Sequence, residues 1–224
     1  SFNILYPTVY EQFLKETPTD AMVVFINCAD KGDKLDFIAG LKQTLDQQHR
    51  SYRAIELSQL EKLNDLGLNT MHPLYFVPSS ASPKAFDQVV KKLEANSNLS
   101  DYRYYFFGHP EWLTFTGKNF DNLLKHHASF YTQFYTYKSS ASVTNFENQF
   151  THWFKRENTK TNPNYSYLGY DIARYFIHGL VEFGPDFYNA TDKVDMVALQ
   201  TPMHFQRKSN GDGFYNTHVK IIKF

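Results

Sequence analysis

The sequence has a single cysteine, Cys28, and no excess of charge of either sign. One thiol excludes a disulfide within the chain and any metal cage built from several cysteines. The 23 basic and 23 acidic residues balance to a formal net charge of zero. This balance argues against a general nucleic-acid binder or a protein that attaches to anionic membranes, because both classes carry a basic excess or a basic face.

Several sequence signals of function are also missing. No run of about 18 apolar residues occurs, so we predict no membrane span, and no signal peptide is visible. The chain has no glycine-rich dinucleotide fingerprint, no phosphate loop and no serine nucleophile elbow, so we expect no cofactor and no serine hydrolysis. The histidine pairs 126/127 and 204/218 have no carboxylate at ligand spacing, so we predict no metal site.

Aromatic side chains are abundant instead. Sixteen Tyr and 21 Phe bring the aromatic content to 17%, which is typical of a globular chain rather than a disordered one. Most of these rings are expected to fill a bulky core. The alternative is that some of them line a cleft and stack on a ligand.

The first half of the chain alternates between apolar strand patterns and amphipathic helix patterns. Strands are predicted at Ala21 to Ile26, Tyr52 to Leu57, Leu74 to Val77 and Tyr102 to Phe107, and a helix over Asp33 to His49. Helix starts are predicted from capping-box spacings at Thr8/Glu11 and Ser58/Glu61, and from Ser82 followed by Pro83. This alternation predicts an α/β fold with a doubly wound parallel sheet.

The second half has a different texture. A brief helix is predicted over Phe120 to His127, a strand over Ser129 to Tyr135, and an aromatic helix that begins after the serines at 139, 140 and 142. Tyr167 to Phe183 is apolar almost all round, which predicts a helix buried between other elements. Short strands follow at 194–199, 203–207 and 214–222, and the last two are predicted to be joined by a hairpin at 209–213.

The first candidate site is the loop that follows the strand ending at Phe107. Gly108 and Pro110 break the strand pattern, so Glu111 and Trp112 are expected to project from a turn. Ligands of open α/β sheets bind at the carboxyl ends of the strands. Glu111 could receive an ammonium group there beside the Trp112 ring. The alternative is that Glu111 caps the next turn and Trp112 fills the core.

Two further loops could line the same crevice. Ser79, Ser80 and Ser82 follow a predicted strand and could bind a carboxylate beside a helix N-terminus, although plain helix capping is the preferred interpretation. Residues 30–33 occupy the equivalent loop after the first strand, where a solvated turn is the simpler explanation.

Tyr170 and Asp171 lie inside the most apolar predicted helix. A buried carboxylate must be hydrogen-bonded or paired, so we expect Asp171 to be satisfied structurally, with Arg174 as one candidate partner. The alternative is that the two residues border a ligand cleft.

A family resemblance rests on motifs spread over nearly the whole chain. These are Phe-Gly-His-Pro-Glu-Trp at 107–112, the aromatic pairs at 130–131 and 134–135, Trp-Phe at 153–154, Tyr-Leu-Gly-Tyr-Asp at 167–171 and the closing segments 213–216 and 219–222. In this order they resemble type I periplasmic-binding-protein-like proteins. In particular, the chain is similar to envelope proteins of Bacteroidetes in which this fold accompanies LysM peptidoglycan-binding modules.

The resemblance implies two α/β lobes with a ligand in the cleft between them, as in amino-acid receptors. It divides the chain into a lead-in helix (1–19), a complete α/β lobe (20–124), elements of a truncated second lobe (125–192) and C-terminal strands with a hairpin (193–224). A complete fold of this kind is longer, so we expect the chain to be the C-terminal portion of such a protein. An apolar face of the incomplete lobe would then be exposed unless a partner chain, for example in a homodimer, covers it.

The resemblance also implies a function and a location. The expected function is a non-catalytic receptor-like domain of the periplasm or cell envelope that binds an amino-acid-like or peptidoglycan-derived molecule. The acidic residue that holds the ligand amine in the amino-acid receptors is matched, loosely, by Glu111. The first alternative is an interaction or scaffold domain with a vestigial cleft. The second is an α/β enzyme with Glu111 as acid or base, which needs a second titratable group within reach.

Overall fold

The computed structural model describes residues 2–30, 34–207, 209 and 211–224. The chain forms two compact units, which are described separately below. Unit 1 comprises Ser1–Thr132 and Ile221–Phe224, and unit 2 comprises Gln133–Lys220. Residues 31–33 of the predicted loop at 30–33 and residue 210 of the predicted hairpin loop at 209–213 lie outside the described residues.

Unit 1 is built on a six-stranded sheet with the order β2-β1-β3-β4-β5-β8. Neighbouring strands from β2 to β5 run parallel to each other, which confirms the predicted parallel sheet. The strands are β1 (Met22–Asn27), β2 (Tyr52–Glu56), β3 (Leu74–Pro78), β4 (Tyr104–Gly108), β5 (Ala128–Thr132) and β8 (Lys220–Lys223).

Helices cover both faces of this sheet, because successive residues of a strand point to opposite sides. On one face, Phe107 of β4 contacts Phe13 of helix α1 and Phe37 of helix α2. On the other face, Phe106 contacts Phe86 of helix α3. The sheet is therefore doubly wound. The helices of unit 1 are α1 (Tyr6–Glu16), α2 (Leu35–Gln47), α3 (Pro83–Glu94) and α4 (Gly117–Lys125).

The predicted helix starts have mixed outcomes. Ser82 caps α3 and accepts a hydrogen bond from the Ala85 amide, with Pro83 as the first helical residue, as predicted. The Thr8/Glu11 box is wrong, because α1 already begins at Tyr6 with no side-chain cap. The Ser58/Glu61 box is also wrong: the box is formed two residues earlier by Glu56 and Gln59, at the start of the 3-10 helix Leu57–Leu66.

Two elements belong to unit 1 that the resemblance places elsewhere. Helix α1, set apart above as a lead-in, packs its Phe13 ring on Phe107 at 4.6 Å. Strand β5, assigned above to the second lobe, pairs in parallel with β4. Sheet pairing and aromatic packing thus extend unit 1 beyond the range 20–124.

The described residues of unit 2 form two α-helices, the 3-10 helix Gly184–Asn189 and a two-stranded ribbon. The α-helices are α5 (Ala141–Phe154), capped by Ser140, and α6 (Tyr165–Phe183), capped by Asn164. Strands β6 (Phe205–Gln206) and β7 (Tyr215–Asn216) pair antiparallel, in agreement with the predicted hairpin. The strand predicted over 214–222 is interrupted, because residues 217–219 are not a strand and β8 belongs to the six-stranded sheet. The strand predicted over 194–199 is wrong, because this segment is not a strand and the Leu199 amide donates to the Asp171 side chain.

Helix α6 is buried on one face only, which corrects the prediction of burial all round. Its buried residues recur every fourth position, at Tyr167, Asp171, Tyr175 and Gly179. The opposite face exposes apolar side chains to solvent: Ile172, Phe176, Ile177, Leu180 and Val181. Of these, Phe176 also contacts the rings of Phe187 and Phe205.

Candidate functional site

The candidate site lies at the carboxyl ends of the parallel strands of unit 1. There the segment after β3 is tied to β1: the Ser79 amide donates to the Ile26 carbonyl at 2.8 Å, and the Cys28 amide donates to Ser79 Oγ at 3.0 Å. The Ser79 carbonyl accepts the Lys34 amide at 2.6 Å. Ser79 thus joins β3 to the chain on both sides of the loop after β1.

The neighbouring hydroxyls converge on one carboxylate. Ser80 Oγ donates to Asp30 Oδ2 at 2.9 Å, and Ser82 Oγ contacts the same oxygen. Ser80 is fully buried. A second carboxylate from a ligand would have to compete with Asp30 for these donors. The serines therefore act mainly as structural partners of Asp30 and as the cap of α3.

Lys34 and Glu111 form a partly exposed ion pair at this site. Lys34 Nζ lies 2.5 Å from Glu111 Oε1, and the two side chains are 23% and 46% exposed. Lys34 is the residue before α2, where the partial positive charge of the helix N-terminus disfavours an ammonium group. The Glu111 carboxylate offsets this repulsion. Glu111 does not cap the 3-10 helix Pro110–Thr114 in which it lies, so the capping alternative is not what the structure shows.

Trp112 is a core residue rather than an exposed platform. Its side chain is 1% exposed and packs against Phe86 at 4.6 Å and against Phe115 at 6.0 Å between ring centroids. The indole lies directly over Gly108, where a Cβ atom would overlap the ring. The glycine that ends β4 is therefore required by this packing, and the alternative that Trp112 fills the core is the one observed.

His109 is a buried residue of this loop that the sequence analysis treated only as the residue before Pro110. Its Nε2 donates to the Pro78 carbonyl at 2.9 Å, and its Nδ1 has no hydrogen-bond partner within the described part of the chain. Burial lowers the pKa of His109 to about 4. The sequence signal that could have predicted the burial of His109 is a His-Pro pair directly after a buried strand.

Two tyrosines also approach the ion pair. Burial raises the pKa of both Tyr6 and Tyr131, and the negative charge of Glu111 acts in the same direction on each hydroxyl. The Tyr131 ring lies 6.4 Å from the His109 ring. The hydroxyl groups of Tyr6 and Tyr131 therefore stay protonated at neutral pH, and Lys34 is the cationic partner of Glu111.

Asp171 and Tyr170 belong to unit 2, whereas the other candidate residues belong to unit 1. Asp171 is fully buried and accepts three backbone amides, from Leu199 at 2.7 Å and from Gln200 and Thr201 at 2.9 Å each. These amides, rather than Arg174, satisfy the carboxylate. Arg174 instead lies over the ring of Tyr170 at 5.4 Å.

The chemistry available at the site is recognition of paired charges. Lys34 supplies an ammonium group and Glu111 a carboxylate, and both are partly open to solvent. Within the described residues, no group of three or more histidine, cysteine or acidic side chains could hold a metal ion. No helix in that part of the chain is long and apolar enough to cross a membrane.

The fold of this chain is similar to that of several solved substrate-binding proteins. An ABC transporter substrate-binding protein from Desulfitobacterium hafniense, solved in complex with leucine, is similar over 100% of this chain, with a TM-score of 0.53 and 12% identity. A leucine-binding protein from Thermotoga maritima has a TM-score of 0.44 and 11% identity over 85% of the chain. A fatty acid substrate-binding protein from Thermomonospora curvata has a TM-score of 0.43 and 11% identity over 91% of the chain.

The fold is thus of the type I periplasmic-binding-protein kind, as the sequence predicts. This chain spans 63% of the length of the Desulfitobacterium protein and 54% of each of the other two. No protein-family model matches the sequence. No curated protein matches it either.

Proposed function

We propose that this chain is a non-catalytic, receptor-like ligand-binding domain of the cell envelope, whose ligand is a small amino-acid-like or peptidoglycan-derived molecule. The observation that carries the proposal is the partly exposed ion pair between Lys34 and Glu111, at the strand ends where open α/β sheets bind ligands. The similarity of the fold to a leucine-bound substrate-binding protein supports it.

The ion pair suits a zwitterion. A ligand ammonium group can take the place of Lys34 Nζ beside Glu111, while the ligand carboxylate pairs with the released Lys34. Each protein charge then exchanges one opposite charge for another, so neither is left without a partner in a partly desolvated site. A molecule that carries only one of the two charges would leave one protein group unpaired.

His109 does not provide the second titratable group that an enzyme would need. Its ring is fully buried, and its Nε2 is held by the Pro78 carbonyl. A bound molecule at Glu111 would therefore have no exposed imidazole with which to exchange a proton. Lys34, a titratable group within reach of Glu111, is held as its ion-pair partner, so receptor-like binding is preferred to acid or base catalysis.

Isothermal titration calorimetry tests the zwitterion prediction. Leucine and an alanine-containing muropeptide with a free amine would be compared with 4-methylpentanoate, which has leucine's carbon chain but no amine. We expect binding of the zwitterions and at least about tenfold weaker binding of the deaminated acid, because a charge-assisted hydrogen bond is lost. Glu111→Gln should remove this preference for an amine.

A matched control is Lys118→Gln, which breaks a surface ion pair with Asp87 elsewhere in unit 1. It should leave the binding of leucine unchanged. Equal affinity of wild type and Glu111→Gln for every zwitterion tested would contradict a role for this ion pair.

The wider context is part of the same proposal. An attached LysM module would hold the protein at peptidoglycan, and the domain would then work in the periplasm or at the envelope. Pull-down on purified peptidoglycan tests this with the chain alone and with any natural extension of it. If only the extended protein binds peptidoglycan, the result supports an attached LysM module. If the chain alone binds peptidoglycan, the contact is made by this domain.

A second candidate function is an interaction domain. The observation in its favour is the apolar face of α6, where Ile177 is 60% exposed and Val181 is 82% exposed. Contiguous exposed apolar surface marks protein-protein contact sites. In this proposal the partner is a second copy of the chain, and the homodimer buries the apolar face of α6.

A further inference from the structure

Unit 1 contains a cavity at the opposite end of the sheet from Glu111. Its floor includes Tyr75, Tyr105 and Ser129, the second residues of β3, β4 and β5, whereas Glu111 follows the last residue of β4. Helix α1 and strand β8 form the sides. The cavity volume is about 310 Å³, which is at the lower end of the range for small-molecule sites.

The walls of this cavity are aromatic. Tyr75 and Tyr105 lie side by side on neighbouring strands, with ring centroids 5.1 Å apart and planes inclined by 24°. Phe13 stands perpendicular to Tyr75 at 5.7 Å and contacts Phe107 at 4.6 Å. Such a lining accepts a flat ring through stacked and edge-to-face contacts. The Phe224 side chain also lines the cavity.

One ion pair bridges α1 and β8 at the cavity. Lys223 Nζ lies 2.8 Å from Glu16 Oε2, and their side chains are 62% and 37% exposed. Both residues line the cavity. Because the pair is largely solvated, it is weak and can be exchanged for a ligand charge.

A second cationic side chain, Arg50, contacts the lining of the cavity. Arg50 donates to the carbonyl and hydroxyl oxygens of Thr17, a lining residue, at 3.2 Å each. Its Nε is buried without a hydrogen-bond partner in the described residues. Burial raises the pKa of Tyr75, and the positive charges of Arg103 and Arg50 act against this rise, whereas the negative charge of Glu16 adds to it. Lys223 and Glu16 are the lining side chains that form an ion pair, and Arg50 lies behind the lining residue Thr17.

We propose that this cavity binds a small planar aromatic carboxylate, with its ring against Tyr75, Tyr105 and Phe13 and its carboxylate paired with Lys223. The aromatic walls select the ring, and the Lys223 ammonium group, with the Arg50 guanidinium bonded to the lining residue Thr17, selects the acid over the corresponding amine. Lys223 is the specificity-determining residue in this arrangement. Glu16 is the internal anion that the ligand displaces.

The test uses the whole chain and four probes. Phenylacetate and indole-3-acetate are expected to bind, as measured by calorimetry and by saturation-transfer NMR. Phenethylamine tests the sign of the charge, and cyclohexylacetate tests the requirement for a planar ring. Both are expected to bind at least about fivefold more weakly than phenylacetate, because one loses the ion pair and the other the ring stacking.

Two substitutions in the same ion pair are expected to have opposite effects. Lys223→Gln should weaken phenylacetate binding by about three- to tenfold, whereas Glu16→Gln should strengthen it by about two- to fivefold, since the competing carboxylate is removed. A purely structural role of the pair would make both substitutions act in the same direction. Lys118→Gln again serves as the control and should change nothing.

Three results would overturn the proposal. The first is no binding of either aromatic acid by folded wild-type protein. The second is tighter binding of phenethylamine than of phenylacetate. The third is a loss of phenylacetate binding in Glu111→Gln but not in Lys223→Gln, which would place the aromatic acid at the carboxyl-end site instead.

Discussion

At the scale of single residues, the loop after β4 combines a required glycine, a buried histidine and a buried tryptophan. Gly108 leaves room for the Trp112 indole, and the indole then covers the end of the strand. His109 lies beside Trp112 at 6.4 Å between ring centroids and holds the Pro78 carbonyl of the neighbouring strand. These contacts fix the loop, and the fixed loop presents Glu111 to Lys34.

The buried imidazole predicts a dependence of stability on pH. The pKa of His109 is about 4 in the folded protein, against an ordinary value near 6.5. Between these two values the unfolded chain binds a proton that the folded protein does not. The free energy of unfolding therefore falls as the pH drops from 6.5 to 4, by about 3 kcal/mol in total from this residue.

Urea unfolding of the wild type and of His109→Gln at several pH values measures this effect. The substitution keeps an N–H donor for the Pro78 carbonyl but cannot titrate, so the variant should lose less stability than the wild type toward pH 4. Burial also lowers the pKa of His126 and His218, and their contributions are common to both proteins and cancel in the difference. If the free energies of unfolding of the two proteins fall equally with pH, His109 does not contribute to the pH dependence.

At the scale of elements, helix α6 is attached to the 199–201 segment through one carboxylate. Asp171 accepts three amides there, and Asn164, the cap of α6, donates its own amide to the Gln200 side chain at 2.9 Å. The segment thus gains its backbone partners from α6 instead of from a neighbouring strand. At Leu199, the last residue of the strand predicted over 194–199, the amide is thus bonded to a helix side chain and not to a strand.

Asp171→Asn should destabilise unit 2 by about 2 to 3 kcal/mol, because an amide side chain has a single acceptor oxygen and cannot receive all three N–H groups. Faster hydrogen exchange at the amides of Leu199, Gln200 and Thr201 is the specific readout. Asp195→Asn, at an exposed position of the same unit, should leave exchange at these amides unchanged. Unchanged protection in Asp171→Asn would contradict the role given to the carboxylate.

At the scale of the whole molecule, the apolar face of α6 bears on self-association. A homodimer that buries Ile177 and Val181 should be seen by sedimentation velocity at micromolar concentration. Replacing both residues with lysine should lower the association constant by at least about tenfold, because two charges would be buried in an apolar interface. Val197→Lys, at an apolar side chain that is 74% exposed in a loop, is the matched control.

The sedimentation experiment has a clear negative outcome. Wild-type protein that remains monomeric at all concentrations tested would contradict the homodimer. Weaker association in Val197→Lys as well would show that the effect reports added charge rather than the α6 face.

The sequence alone determined the core architecture, because the signals for it are local. Continuous apolar strands such as Ala21 to Ile26 occur only where both faces of a sheet are covered, and Ser82 with Pro83 marks the start of α3 within two residues. The carboxyl-end loop with Glu111 was also identified, since a strand that ends at Gly-His-Pro has few other outcomes. Local chemistry fixes each of these features without long-range contacts.

The tertiary structure decided the partners of the charged and buried groups. Lys34 and Glu111 are 77 residues apart in the chain, and the amides that hold Asp171 lie 28 to 30 residues away from it. The aromatic cavity brings α1 together with β8, the last strand of the chain. No periodicity or capping motif encodes such distances, because they depend on which strands become neighbours in the sheet and on how closely side chains pack between them.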